Sequence, residues 1–171
     1  MVEHPEVITL GRRRESRANV VEARFPIVEV ERGGDVTYHG PGQLVGYPIL
    51  ALAGEERDLH RFLRAIEQAL IDLCATLGVA AGRRDGATGV WLGEKKVASI
   101  GIAVRRWVTL HGFAINISTD LSHFSAIRPC GFAAEVMTSL SESLRRPVAL
   151  DEVKGRAIYE LGRRLGRRFM A

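Results

Sequence analysis

The sequence predicts an α+β fold, a mixed and mostly antiparallel sheet flanked by few helices. Two observations lead there. Short apolar or alternating runs separated by Gly-rich breaks dominate the middle of the chain. Only two stretches carry an apolar repeat of helical period, one central and one at the C-terminal end. At 171 residues the chain has the length of one domain, expected over 1–171, and shows no internal repeat, linker or low-complexity tract.

Taken in order, Val7 to Leu10 reads as a short strand running into Gly11. Ile27-Val28-Glu29-Val30-Glu31 alternates as a half-buried strand should. Arg32 to Gln43 holds four glycines and a proline in twelve residues, so most of it is expected to be loop. Leu44 to Leu50 returns as a buried strand. Asp58 is placed to cap the central helix, whose stripe runs Leu59, Phe62, Leu63, Ile66, Ala69, Leu70, Leu73, Cys74 and Leu77 before Gly78 closes it. Gly89 to Leu92 and Lys96 to Val104 form a hairpin across the polar turn Gly93-Glu94-Lys95. Val108 to Ile117 is a further strand. Asp151 to Phe169 is the second helix, with Val153, Ala157, Ile158, Leu161 and Leu165 on its apolar face.

Composition narrows the function classes. Hydrophobic residues make up 46% and charged residues 26%, with no run near the roughly 20 apolar residues that a membrane span needs. The N-terminus lacks a basic segment followed by an apolar run, and two cysteines do not make a disulfide framework, so a reduced cytoplasmic protein is expected. The net charge of +4 is concentrated in arginine pairs at 83–84, 105–106, 145–146, 163–164 and 167–168. No aromatic residues interleave with them, which argues against nucleic acid and leaves either a solvated surface or docking of an acidic protein.

The chemistry centres on Cys130, in Pro129-Cys130-Gly131. Proline there cannot continue a helix and glycine admits a ligand close to the backbone. Cys74, on the helix stripe, reads as a packed core thiol. A thiol titrates near 8.5 and needs a neighbouring base or cation to become a nucleophile at neutral pH, and Lys96 on a strand offers one. Adjacent strand residues face opposite sides, so only one of Lys95 and Lys96 faces the thiol. The run Arg32-Gly33-Gly34-Asp35-Val36-Thr37-Tyr38-His39-Gly40-Pro41-Gly42-Gln43 is longer and richer in donors than strand closure requires. His4, His60 and His123 read as structural or surface residues, and His111 as either a site support or a structural histidine.

These motifs, with Gly89-Val90-Trp91, Lys96-Val97-Ala98-Ser99-Ile100-Gly101 and His111-Gly112-Phe113-Ala114-Ile115-Asn116, resemble in order the lipoyl(octanoyl) transferases of the lipoate-protein ligase B type. The resemblance spans about Glu3 to Leu144. It implies a biotin/lipoate protein ligase-like, class II synthetase-like fold. It also implies octanoyl transfer from octanoyl-acyl carrier protein to a lysine of an apo lipoyl domain, the first step of endogenous protein lipoylation. The acceptors would be the E2 subunits of 2-oxoacid dehydrogenases and the glycine cleavage H protein. No cofactor, metal, nucleic acid or membrane is implied, and a monomer is expected.

By the same resemblance Cys130 carries the acyl thioester and Lys96 activates it, the match selecting Lys96 over Lys95. The acyl group is expected to lie among Arg32, Gly33, Gly34, Asp35, Val36, Thr37, Tyr38 and His39, with Ser99, Ile100 and Gly101 beside the lysine and Gly112, Phe113 and Ala114 on the facing strand. The family pattern has a further strand and helix ahead of the stretch matching Val7 to Gly11. This chain starts almost on top of that stretch, which is expected to expose a sheet edge and apolar surface. Three other readings stand beside this one: an ATP-dependent lipoate or biotin ligase, a noncatalytic carrier-domain-binding protein, and a Cys–His hydrolase using His39 or His111.

Overall fold

The structure, a computed structural model, describes residues 1–129 and 133–169. Among the described residues eight strands form two sheets. Strands β4 (Gln43–Gly46), β5 (Gly82–Arg84), β6 (Ala87–Leu92), β7 (Lys95–Arg105) and β8 (Val108–Asn116) make an antiparallel sheet in the order β4-β8-β7-β6-β5. Strands β1 (Val7–Leu10), β2 (Ile27–Glu29) and β3 (Thr37–His39) make a smaller one, with β1 parallel to β2 and antiparallel to β3. Helices α1 (Leu59–Thr76), α2 (Leu140–Leu144) and α3 (Leu150–Leu165) are the α-helices of the described residues, joined by short 3-10 turns at Gly54–Glu56, Leu121–Ala126 and Ala134–Val136. The main core lies between the larger sheet and the packed pair α1 and α3, around Ile66, Leu70, Leu73, Ile115 and Leu161. A second core under the small sheet gathers Ile8, Tyr38, Phe124 and Ile127.

The central helix forms as its residues dictate. The Asp58 carboxylate accepts a hydrogen bond from Arg61 N at 3.0 Å, and Gly78, at φ 75°, takes the left-handed position just past the end. Cys74 is buried on its stripe. Several element boundaries need correction. The strand at Ile27 is three residues long and largely exposed, because Val28 and Val30 face a cavity rather than a core. Most of the Gly-rich stretch is loop, as expected, with the three-residue β3 set into it where Thr37 and Tyr38 favour a pleated, paired backbone. Strand β4 stops at Gly46, and Pro48, with no N–H to donate, follows in a kink that the Thr109 hydroxyl stitches to Pro48 O and Leu50 N, both at 2.7 Å. Helix α3 ends at Leu165 because Gly166 turns left-handed at φ 61°.

The hairpin between β6 and β7 turns through two residues, Gly93-Glu94, so Lys95 belongs to the strand. A bulge on β7 pairs Val90 with Ala98 but Trp91 with Lys96. Residues 133–138 then lie alongside: Met137 bridges to Lys96, and Thr138 N donates to Lys96 O at 3.0 Å. No helix among the described residues is long and apolar enough to cross a membrane.

Candidate active site

A cavity of about 1030 Å³ opens between the two sheets, at the upper end of the range that takes drug-sized ligands. Its floor is the β7–β8 ribbon, with Ser99, Ile100 and Gly101 on one strand and Gly112, Phe113 and Ala114 on the other. The loop 32–36 covers it, held down by a hydrogen bond from Gly33 N to Ile102 O at 2.9 Å. Close packing there requires Gly101: a Cβ would stand 2.9 Å from Gly33 O and 3.0 Å from the Arg32 Cδ. Arg32 is tied to β1, its Nη2 donating to the carbonyl and the hydroxyl of Thr9, both at 2.9 Å.

Lys96 lines this cavity and is only 4% exposed. Its Nζ lies 5.5 Å from the centroid of the Trp91 ring. Gly89 makes the room: at φ 131°, a Cβ there would fall 2.6 Å from the Lys96 Cε and 2.4 Å from Ala98 O. Lys95 points the other way, with Nζ 3.4 Å from Glu142 Oε1 on the half-exposed outer face. Strand geometry therefore separates the two lysines as expected. A lysine buried on a cavity wall holds its proton where a reacting group can reach it, which suits it to acid–base work.

The carboxylate that organises this corner lies on α1. Glu67 is fully buried, accepting from Arg64 Nη1 at 2.6 Å and Arg83 Nε at 3.0 Å, while its Oε1 accepts from Gly89 N at 3.1 Å. It thus anchors the glycine beside the lysine. The sequence carried a signal for it: Leu63, Glu67, Leu70 and Cys74 are spaced four, three and four, a charge on an apolar stripe.

The other predicted residues divide. Gly34, Val36, Thr37 and His39 line the cavity. Asp35 also borders it, but its buried carboxylate is occupied by Asn19 Nδ2 at 2.7 Å and by its neighbour Val36 N, a loop-forming role. Tyr38 does not line it; strand alternation turns the ring into the second core, with its hydroxyl 2.8 Å from His123 Nδ1 and its pKa pushed up to about 12, chiefly by burial. His4 and His60, read as structural or surface residues, both line the cavity. His4 reaches it because Val2 pairs with Val45, and its Nε2 lies 2.6 Å from the Tyr47 hydroxyl.

His39 is fixed in one tautomer. Gln43 Nε2 donates to Tyr38 O and to Asn116 Oδ1, so Gln43 Oε1 accepts, at 2.7 Å, the proton on His39 Nδ1. Its Nε2 is left as the acceptor, with the Thr9 hydroxyl at 3.4 Å. Burial lowers the pKa of His39 to about 4, so the ring is neutral at pH 7. The chain of bonds continues from Asn116 Nδ2 to Thr138 O at 2.9 Å, reaching the segment paired with Lys96. His111 lines the cavity in left-handed backbone at φ 62°, and burial lowers its pKa as well.

Cys130 lies outside the described residues, while Pro129, its neighbour in sequence, is buried and lines the cavity. Burial pushes the Cys74 thiol up to about 12, which leaves it protonated and inert. Among the described residues no three His, Cys, Asp or Glu side chains gather as a metal site.

Residues 1–162 match the family described as the lipoyl protein ligase A/B catalytic domain. The chain belongs to that family. It is 52% identical over 169 residues to an octanoyltransferase of Geobacter metallireducens, covering 96% of this chain and 79% of that one. It is 50% identical over 157 residues to an octanoyltransferase of Mycobacterium tuberculosis, covering 90% and 67%. Such kinship makes it an acyltransferase of this family. The fold recurs in lipoate-protein ligase A bound with ATP, at 21% identity and a TM-score of 0.82 over 98% of this chain and 72% of that one. It recurs more distantly in biotin protein ligase from Aquifex aeolicus, at 14% identity and 0.58 over 94% and 68%. The expected ligase-like α+β fold is thereby found.

Proposed function

We propose that the chain moves an octanoyl group from octanoyl-acyl carrier protein to a lysine of an apo lipoyl domain, through a thioester on Cys130. The observation that carries this reading is Lys96, a buried lysine in a slot cleared by Gly89, on a cavity that Pro129 also lines. Paired as thiolate and ammonium, Cys130 and Lys96 suit both half-reactions. The Cys130 thiolate attacks the donor thioester carbonyl, the carbon–sulfur bond to the carrier breaks, and the departing thiolate takes the Lys96 proton. The neutral amine of the acceptor lysine then attacks the Cys130 thioester. An amide forms, the Cys130 thiolate leaves, and the proton lost by the new amide returns to Lys96. One site used twice implies ping-pong kinetics. The apolar floor at Ile100, Phe113 and Ala114 suits an alkyl chain, and a reduced thiol suits the cytoplasm.

Intact-mass spectrometry tests the reading. With octanoyl-acyl carrier protein and no ATP, wild type and Cys74→Ser should gain one octanoyl group and pass it to an apo lipoyl domain. Cys130→Ser should do neither, a loss of transfer of at least about 10³-fold. An adduct on any other residue, or product formed only from octanoate with ATP, would overturn it in favour of another nucleophile or a ligase.

A further inference from the structure

The β7–β8 hairpin runs past the cavity. Its last cavity-lining residue on β7 is Ile102, and the strand continues three residues, about 10 Å, to Arg105. The turn is Arg106-Trp107, with both residues in left-handed backbone at φ 51° and 61°. Such a two-residue turn favours Asn and Gly, and bulky side chains adopt it only at a cost. The strain is kept at an exposed tip, where the Arg57 guanidinium stands 5.6 Å from the centre of the Trp107 ring.

Beside the tip the chain from Leu50 to Leu52 pairs with residues 107–109, through Thr109 N to Leu50 O at 2.9 Å and Leu52 N to Trp107 O at 2.8 Å. This ribbon turns Tyr47, Ile49, Trp107 and Val108 outward, each between 37 and 48% exposed. Tyr47 also lines the cavity, so the apolar strip leads from the tip to its mouth. Beside it stand the exposed cations Arg57, Arg105 and Arg106, together with the carboxylates Glu55 and Asp58. Arg83, Arg84, Arg146, Arg163, Arg164 and Arg167 are engaged with carboxylates, whereas Arg105 and Arg106, like Arg145 and Arg168, form no ion pair among the described residues. Glu56, one residue before Arg57, is neutralised by Arg167.

We infer that this strip, from Trp107 to Tyr47, is the docking face for the acceptor domain, which meets it with an apolar patch ringed by acidic residues. The inference rests on the reading above. Exposed Trp, Tyr and Arg around an apolar centre are the composition of binding hot spots. The acceptor fits better than the donor for a geometric reason. A lysine reaches no further than its four-carbon stem, so its domain must seat where the surface adjoins the cavity mouth.

Titration calorimetry of an apo lipoyl domain into the full chain tests this without any chemistry. Arg106→Asn/Trp107→Gly gives the turn its preferred residues, so its Tm should hold or rise while Kd weakens by at least about tenfold. Ile49→Ser/Val108→Thr, on the strip but away from the turn, should weaken Kd in the same direction. Kd within twofold of wild type for both variants overturns the inference, and so does a wild type that does not bind the domain. Weakening seen only with octanoyl-acyl carrier protein, titrated in parallel, reassigns the strip to the donor and overturns it too. If the domain binds but wild-type Cys130 takes up no octanoyl group, the reading of the active site fails while the strip stands.

Discussion

The two ends of β7 carry cations in opposite settings. At the start, Lys96 is buried, with a glycine cleared beside it, an aromatic face near it and a buried carboxylate anchoring the adjacent strand. At the far end, Arg105 and Arg106 are exposed, Arg106 within a strained turn whose Trp107 lies under Arg57. The same sign of charge does different work because the dielectric differs. Buried, a cation changes the protonation of its neighbours; exposed, it steers an encounter that salt can screen. In the proposed reading, one strand joins a reaction corner to a recognition tip.

The largest effect should come from crowding the buried end. Gly89→Ala puts a methyl group into the Lys96 side chain at a φ that side chains rarely adopt, and should cost about 2–4 kcal/mol of stability. It should also lower kcat more than it raises KM, since it displaces the lysine rather than the substrate. Gly93→Ala is the matched control: its φ is also positive, at 60°, but nothing lies within 4 Å of the added carbon. Denaturant unfolding and steady-state kinetics of the pair would show equal losses if the slot had no importance.

The buried end should also be the acid-sensitive one. His39 titrates near 4 in the folded chain against 6.5 unfolded, so the unfolded state binds more protons between those values. Stability held above pH 6.5 is therefore lost as pH falls towards 4, by up to about 3 kcal/mol. Urea unfolding at pH 7 and pH 4.5 should show a smaller drop in His39→Gln than in wild type. Equal drops would place the acid sensitivity elsewhere.

The exposed end should give the smallest change. Raising salt from low to moderate should lower kcat/KM for both proposed carrier partners a few-fold through association, and Arg105→Ala/Arg106→Ala should flatten the slope for the acceptor. A salt-independent kcat/KM would remove steering from the account, and parallel slopes would clear this arginine pair.

Much of this was legible in the sequence where one local rule decides. Asp58 and Gly78 bound α1 by capping chemistry, and the 3.6-residue stripe placed Cys74 in the core. Lys95 and Lys96 separate by strand alternation. What escaped depends on distant partners. Tyr38 belongs to the second core because β3 pairs with β1 and puts the ring against Phe124, a contact that no local pattern contains. His4 enters the cavity only because Val2 pairs with Val45 across the fold. Glu67 matters through the backbone of Gly89, two elements away in sequence. Gly89 itself stood within a quoted motif, but its reason, the room for Lys96, exists only once β6 and β7 are paired.

Lys96 is proposed to make Cys130 a nucleophile, and the pH dependence of Cys130 alkylation decides whether it does. Following iodoacetamide labelling by mass in wild type, Lys96→Ala and Lys95→Ala, the account predicts a raised midpoint and slower labelling at neutral pH in Lys96→Ala alone, because the thiolate has lost its buried cation. Superimposable profiles for wild type and Lys96→Ala, or the same upward shift in Lys95→Ala, would contradict it.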